Sequence, residues 1–199
     1  HVGAVQARSS KNAMGKIKAV IFDVDGVLLD SLESNAQFYQ KLLAEFGYDA
    51  PTIEEYSGMN HLTMREAIKK MTGLADEKEI EKIWLRAHKP VLGADLRAKL
   101  SDGALETIQL LNKSYKLGLV TGRIKSHIFE DSLKNLKDYF DVAIGYEDTK
   151  NHKPHPEPLL LAAEQLELKP EECVYVGDAL TDIQAGNSAG MKVILYGKE

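Results

Sequence analysis

The chain has 199 residues, of which 44% are hydrophobic and 28% charged, and a net charge of -5. This is the composition of a globular protein with room for one good core and a small second domain. The acidic balance argues against a dedicated nucleic-acid binder, and no apolar run approaches the ~18 residues that a membrane helix needs.

Cys173 is the only cysteine, so no intrachain disulfide is available. In the apolar run CVYV it reads as a buried core residue, and a reducing, cytoplasmic compartment is expected. Residues 1–15 lack the apolar centre of a secretory signal. They are expected to be an added leader or a disordered tail, with Met14 as the native start.

Residues 17–23, IKAVIFD, have the short β-branched run of a buried strand. Residues 34–46 follow with helical spacing, placing Phe38, Leu42, Leu43 and Phe46 on one face, with Gly47 as the stop. Further helical patterns cover 61–72 and 77–89, closed by Gly73 and Pro90. From residue 103 the pattern alternates. Helices are expected over 103–113, 125–136, 156–166 and 180–189. They lead into strands over 116–121, 141–145, 172–178 and 192–196. Alternation of this kind predicts an α/β fold, a Rossmann-like parallel sheet with helices on both faces. Residues 16–31 and 99–199 would form that core. Residues 32–98 would form an all-α insert after the first strand, above the carboxyl ends of the strands where open α/β sheets bind ligands.

Polar groups gather at those strand ends. Asp23 and Asp25 follow the first strand, and Thr121, Gly122 and Arg123 the second. Lys153 lies beyond the third strand, and Asp178 ends the fourth, with Asp182 four residues on. Carboxylates packed together repel one another unless a cation or shared protons relieve them. All-oxygen ligands suit a hard cation, and Mg²⁺ favours sites shared with a phosphate. Lys153 offers a point charge to a phosphate oxygen, Thr121 a hydroxyl and Gly122 an amide. The set points to phosphoryl transfer, in which a carboxylate can attack phosphorus and a second carboxyl can protonate the leaving group.

Four stretches in order, DVDGVLLDS, LGLVTGR, KPHPEPLL and VGDALTDIQAGNSAG, resemble the four motifs of the haloacid dehalogenase superfamily. The helical insert resembles the cap of its phosphoglycolate phosphatase and β-phosphoglucomutase-like branch. The resemblance implies that Asp23 is the nucleophile and Asp25 the general acid/base. It implies that the Asp23 carboxylate, the Asp25 carbonyl and Asp178 hold Mg²⁺. Thr121, Gly122 and Lys153 would bind the phosphoryl group, and Asp182 would support the metal or Lys153. Chains of this family often continue into a further helix where this one stops after its last strand.

The insert is expected to select the substrate through Asn60, His61 and Arg65, with Arg65 suited to an anionic group. Its nine Lys and Arg against eleven Asp and Glu over 32–98 disfavour large polyanions. Asp30 and Ser31 read as a cap or hinge, and Glu33 and Asn35 as possible substrate contacts. His152 and His155 read as loop residues. Glu147 and Asp148 are either loop acids or part of the metal surroundings, and Arg123 either reaches the substrate or pairs with an acid. Hinges are expected at 30–33 and 95–102.

The function expected is a Mg²⁺-dependent phosphatase acting on a small phosphorylated metabolite, with neither nucleic acid nor membrane as partner and the oligomeric state left open. The alternatives are a phosphomutase, an inorganic pyrophosphatase of the same branch and a non-catalytic scaffold.

Overall fold

A computed structural model describes residues 16–49, 51–59, 62–87, 89 and 98–197. Its centre is β1, Ala19–Phe22, in which all four residues are buried. Such a strand must be covered on both faces and paired on both edges. It pairs in parallel with β4, Lys116–Val120, and with β6, Cys173–Gly177. Outside these lie β5, Val142–Ile144, and β7, Lys192–Leu195, giving the order β5-β4-β1-β6-β7.

The period-2 alternation of β1 divides the core. Val20 and Phe22 face one cluster with Leu117, Leu119 and Ile108. Ala19 and Ile21 face another with Leu159, Ala163, Tyr175 and Ala185. The helices α5, Ala104–Leu111, α6, Glu157–Gln165, and α7, Leu180–Ala189, supply the covering layers.

Between β1 and β4 the chain leaves the sheet through a two-stranded antiparallel ribbon, β2, Leu29–Asp30, with β3, Lys99–Leu100. The ribbon is absent from the sequence reading. It joins the two segments expected to be hinges, since Asp30 pairs with Lys99. Residues 95–97 of the second segment lie outside the described residues.

Among the described residues, four helices lie between these strands: α1, Leu32–Ala44, α2, Ile53–Ser57, α3, Met64–Thr72, and α4, Glu77–Ala87. They share a cluster of their own around Tyr39, Leu42, Leu43, Ile68, Ile80 and Ile83. Capping boxes start α2 and α3, pairing Thr52 with Glu55 and Thr63 with Glu66. Gly73 ends α3 in the left-handed conformation. Among the described residues, no helix is long and apolar enough to cross a membrane.

Three expectations need correction. The buried face of α1 carries Ala36, Tyr39, Leu42 and Leu43, whereas Phe46 lies beyond the helix and is exposed. The short α2 is too brief for periodicity to reveal it. The helix expected over 125–136 is instead two 3-10 segments, Lys125–His127 and Asp131–Tyr139. There Leu133, Leu136 and Tyr139 recur every third residue against the core, the side-chain repeat of a 3-10 turn rather than an α-helix.

The face assignment of α1 is testable. Leu43→Ala should lower the unfolding free energy by about 2–5 kcal/mol, and Phe46→Ala by much less, both read by urea denaturation. Equal losses would contradict the assignment.

Candidate active site

The parallel register brings the ends of β1, β4 and β6 side by side: Phe22 sits opposite both Leu119 and Val176. The next residues along the three strands therefore converge, and the site is built there.

Asp23 follows Phe22 and is only 8% exposed. Its Oδ1 accepts the Val24 amide at 2.8 Å, and its Oδ2 faces Lys153 Nζ at 2.8 Å. Lys153 also donates to Asp182 Oδ1 at 2.7 Å and to the Tyr175 hydroxyl at 3.0 Å. Asp182 is fully buried, and its Oδ2 accepts the Asp178 and Ala179 amides at 3.2 and 3.0 Å. Both Asp182 oxygens are thus committed to orienting Lys153 and to starting α7. Asp182, expected as a supporting group, is in direct contact with Lys153.

Two glycines permit this closeness. A Cβ on Gly177 would lie 2.3 Å from that of Asp182. Gly26 has a φ of +78°, and a Cβ there would lie 2.0 Å from Asp178 Oδ2. Only glycine satisfies both the turn and the contact.

Asp23, Asp178 and Asp182 can each bring one oxygen within 4.8 Å of the others. The crowding shows in their acidities. Burial, the Asp182 charge and the Asp25 charge push the Asp23 carboxyl up to about 7, even though Lys153 opposes the shift. Burial and the Asp182 charge push Asp178 up to about 6. Burial acts to lower the Lys153 ammonium, but Asp23, Tyr175 and Asp182 hold it well above its ordinary value. This excess of negative charge, made of oxygen donors alone, fits a hard divalent cation. Asp23 and Asp178 are the carboxylates suited to hold one, because Asp182 is spent on Lys153, Tyr175 and two amides.

Asp25 is held differently. Arg123 Nε donates to its Oδ2 and Arg123 Nη2 to its Oδ1, both at 2.7 Å. Asn35 Nδ2 adds a bond to Oδ1 at 3.2 Å, and Ser31 adds another. Burial works to raise this carboxyl, but Arg123 and the other donors bring it down to about 2. The Ser31 hydroxyl therefore serves Asp25, not the start of α1, where it makes no capping bond. The buried Tyr56 hydroxyl bonds Asn35, so α2 also borders this carboxylate.

Thr121, at the end of β4, is buried, and its Oγ1 accepts the Arg123 amide at 3.2 Å. Around Gly122 there is open space.

The remaining candidates divide. Arg65 pairs with Glu81 at 3.5 Å and stacks over Trp84 at 4.6 Å. Asn60 and His61 lie outside the described residues. Glu147 accepts the Lys125 amide, and Asp148 accepts Lys125 Nζ and the Gly145 amide. These two acids tie loops together. His152 stacks on Tyr146 at 4.0 Å, and Trp84 of α4 leans on the same ring at 6.1 Å. A cleft of about 630 Å³ runs between the start of α3, at Thr63 and Glu66, and the loop carrying Asn151, His152 and Lys153.

The haloacid dehalogenase-like hydrolase family model matches residues 20–196. The chain belongs to this family. It is 32% identical to a phosphoglycolate phosphatase of Nitrosospira multiformis, over 89% of this chain and 82% of that protein. It is likewise 32% identical to the pyrophosphatase PpaX of Bacillus cereus (strain Q1), over 89% and 82% of the two chains. Among solved structures it resembles the β-phosphoglucomutase of Clostridium difficile, with a TM-score of 0.76 and 25% identity over 92% of this chain and 85% of that one.

The raised pKa of Asp23 fixes the sign of a pH effect. Its carboxyl binds a proton more tightly in the folded chain than at its ordinary value of 3.8. Ionising it therefore costs stability, progressively from about pH 4 to about pH 7. Without divalent cations, the wild type should lose stability relative to Asp23→Asn across that window in urea denaturation. A flat difference would contradict the crowding described here.

Proposed function

We propose that the chain is a Mg²⁺-dependent phosphatase of small phosphomonoesters, with Asp23 as nucleophile. One observation carries this reading: a buried carboxylate, Asp23, is braced by Lys153 and lies beside the Asp178 carboxylate at the convergent ends of three strands. The named functions of the relatives, phosphoglycolate phosphatase and pyrophosphatase, support small phosphorylated substrates.

In this reading the phosphoryl group lies against Asp23, with Thr121 Oγ1, the Gly122 amide and Lys153 Nζ binding its oxygens. Asp23, the Asp25 carbonyl and Asp178 would hold the cation, whose charge would offset that on the transferring phosphoryl. An Asp23 oxygen forms a bond to phosphorus as the ester P–O bond breaks. Asp25 must first leave Arg123; its carboxylate, no longer paired, then takes up a proton from solvent and gives it to the leaving oxygen. Asp25, now a carboxylate, removes a proton from the water that attacks the aspartyl-phosphate, releasing phosphate and restoring Asp23.

Residues 32–98 act as a cap that opens and closes on the β2–β3 ribbon, keeping bulk water from the acyl phosphate. The stack of Trp84, Tyr146 and His152 supports a closed position, since it joins α4 to the loop beside Lys153.

A phosphomutase is the second reading, favoured by the likeness to β-phosphoglucomutase. In it a sugar hydroxyl replaces water as the acceptor.

Phosphate release from a panel of phosphomonoesters and pyrophosphate, with and without Mg²⁺, tests the proposal. Release should require the metal, vanish in Asp23→Asn and fall about 10²–10⁴-fold in Asp25→Asn. Unchanged release in Asp23→Asn would overturn the nucleophile assignment. Conversion of a hexose 1-phosphate with no phosphate released would favour the mutase.

A further inference from the structure

The pairing of Asp25 raises a difficulty that the phosphatase reading must meet. Both oxygens of the carboxylate are taken by one guanidinium in a two-point contact at 2.7 Å. Asn35 occupies Oδ1 a second time. An oxygen committed to these donors cannot reach a leaving group. Pulling Arg123 away with nothing in exchange would strip a paired charge at a partly buried position, which is costly. Release therefore needs a replacement anion. The forked guanidinium accepts carboxylate and phosphate in the same geometry.

The position of Arg123 suits such an exchange. Its backbone amide is bonded to Thr121 Oγ1, so its anchor is fixed beside the hydroxyl assigned to the phosphoryl group. The Arg123 and Asp25 side chains are 23% and 29% exposed, open enough for a ligand to reach them. Other nearby cations are engaged where exchange would not free Asp25. Arg65 is held by Glu81 and Trp84, Lys125 by Asp148, and Lys153 by Asp23 and Asp182.

We propose that Arg123 is a specificity-determining residue that reads a second anionic group close to the phosphoester. In the absence of substrate it holds Asp25. A carboxylate or second phosphate on the substrate takes Arg123 in its place and frees Asp25 to turn toward the leaving oxygen. The inference rests on the phosphatase reading and narrows its substrates to compact phosphomonoesters with a neighbouring negative charge. Asn35 and Ser31 belong to the insert and its entry, so the same exchange loosens Asp25 from α1.

The test compares phosphoglycolate with ethyl phosphate, of similar size but without the carboxylate, in the full chain with Mg²⁺. The wild type should prefer phosphoglycolate in kcat/KM by ~10–100-fold, the scale of a charge-assisted contact. In Arg123→Gln that ratio should collapse toward one, and Arg123→Lys, which keeps the charge without the fork, should retain part of it. Calorimetric binding of both esters to the Asp23→Asn protein, with and without Arg123→Gln, should show the same preference and the same loss. Thermal midpoints of all variants establish that they are folded. Equal losses on both esters in Arg123→Gln, or a wild type with no preference, would overturn the inference and leave the phosphatase reading standing. Wild-type failure to release phosphate from either ester, or from any member of the wider panel, would overturn both.

Discussion

The site depends on one partly buried ammonium. Lys153 Nζ lies within 2.8 Å of Asp23 and 2.7 Å of Asp182, and Asp182 is fully buried. Burying such a group is expensive unless its charge is matched and its hydrogens are placed. The surrounding structure meets that demand: Tyr175 takes a third contact, and the Asp178 and Ala179 amides fix the far oxygen of Asp182. Gly177 and Gly26 follow from the same demand, because a side chain at either would occupy the space of Asp182 or Asp178. Burial, together with an excess of negative over positive charge, makes Asp23 and Asp178 hold protons more tightly than free carboxyls do.

The two aspartates of the first motif stand two residues apart in opposite electrostatic surroundings. Asp23 lies among like charges, while Asp25 is clamped by Arg123. Their pKa values, about 7 and about 2, diverge accordingly. The topology makes this possible. β1 lies in the middle of the sheet, so Asp23 meets groups from β4 on one side and β6 on the other. The chain then turns through Gly26 into the ribbon and the helical insert, so Asp25 sits where core and insert meet.

Much of this was legible in the sequence, for physical reasons. Buried strands announce themselves by apolar runs, and polar groups at their ends stand out because strand interiors exclude them. The five-stranded parallel sheet, with polar groups at its strand ends, could be anticipated that way. The β2–β3 ribbon could not, because two-residue strands leave no periodic signal. The segment over 125–136 has apolar residues that match an α-helix poorly and a three-residue repeat well, a distinction that Leu133, Leu136 and Tyr139 make visible on inspection. Arg123 was ambiguous because an arginine after a strand pairs with acids in many settings, and only three-dimensional proximity identifies Asp25. For Arg65, spacing marks a helix face but not what that face meets, so its contacts with Glu81 and Trp84 could not be read in advance.

The central claim is that Asp23 carries the phosphoryl group during turnover. Acid-quenched reactions followed from the first milliseconds, with peptide mass spectrometry of the quenched protein, test it most directly. The account predicts one added phosphoryl group on the peptide containing Asp23, rising and then falling as free phosphate appears. Turnover with that peptide unmodified at every time point, or with the group on another residue, would contradict it.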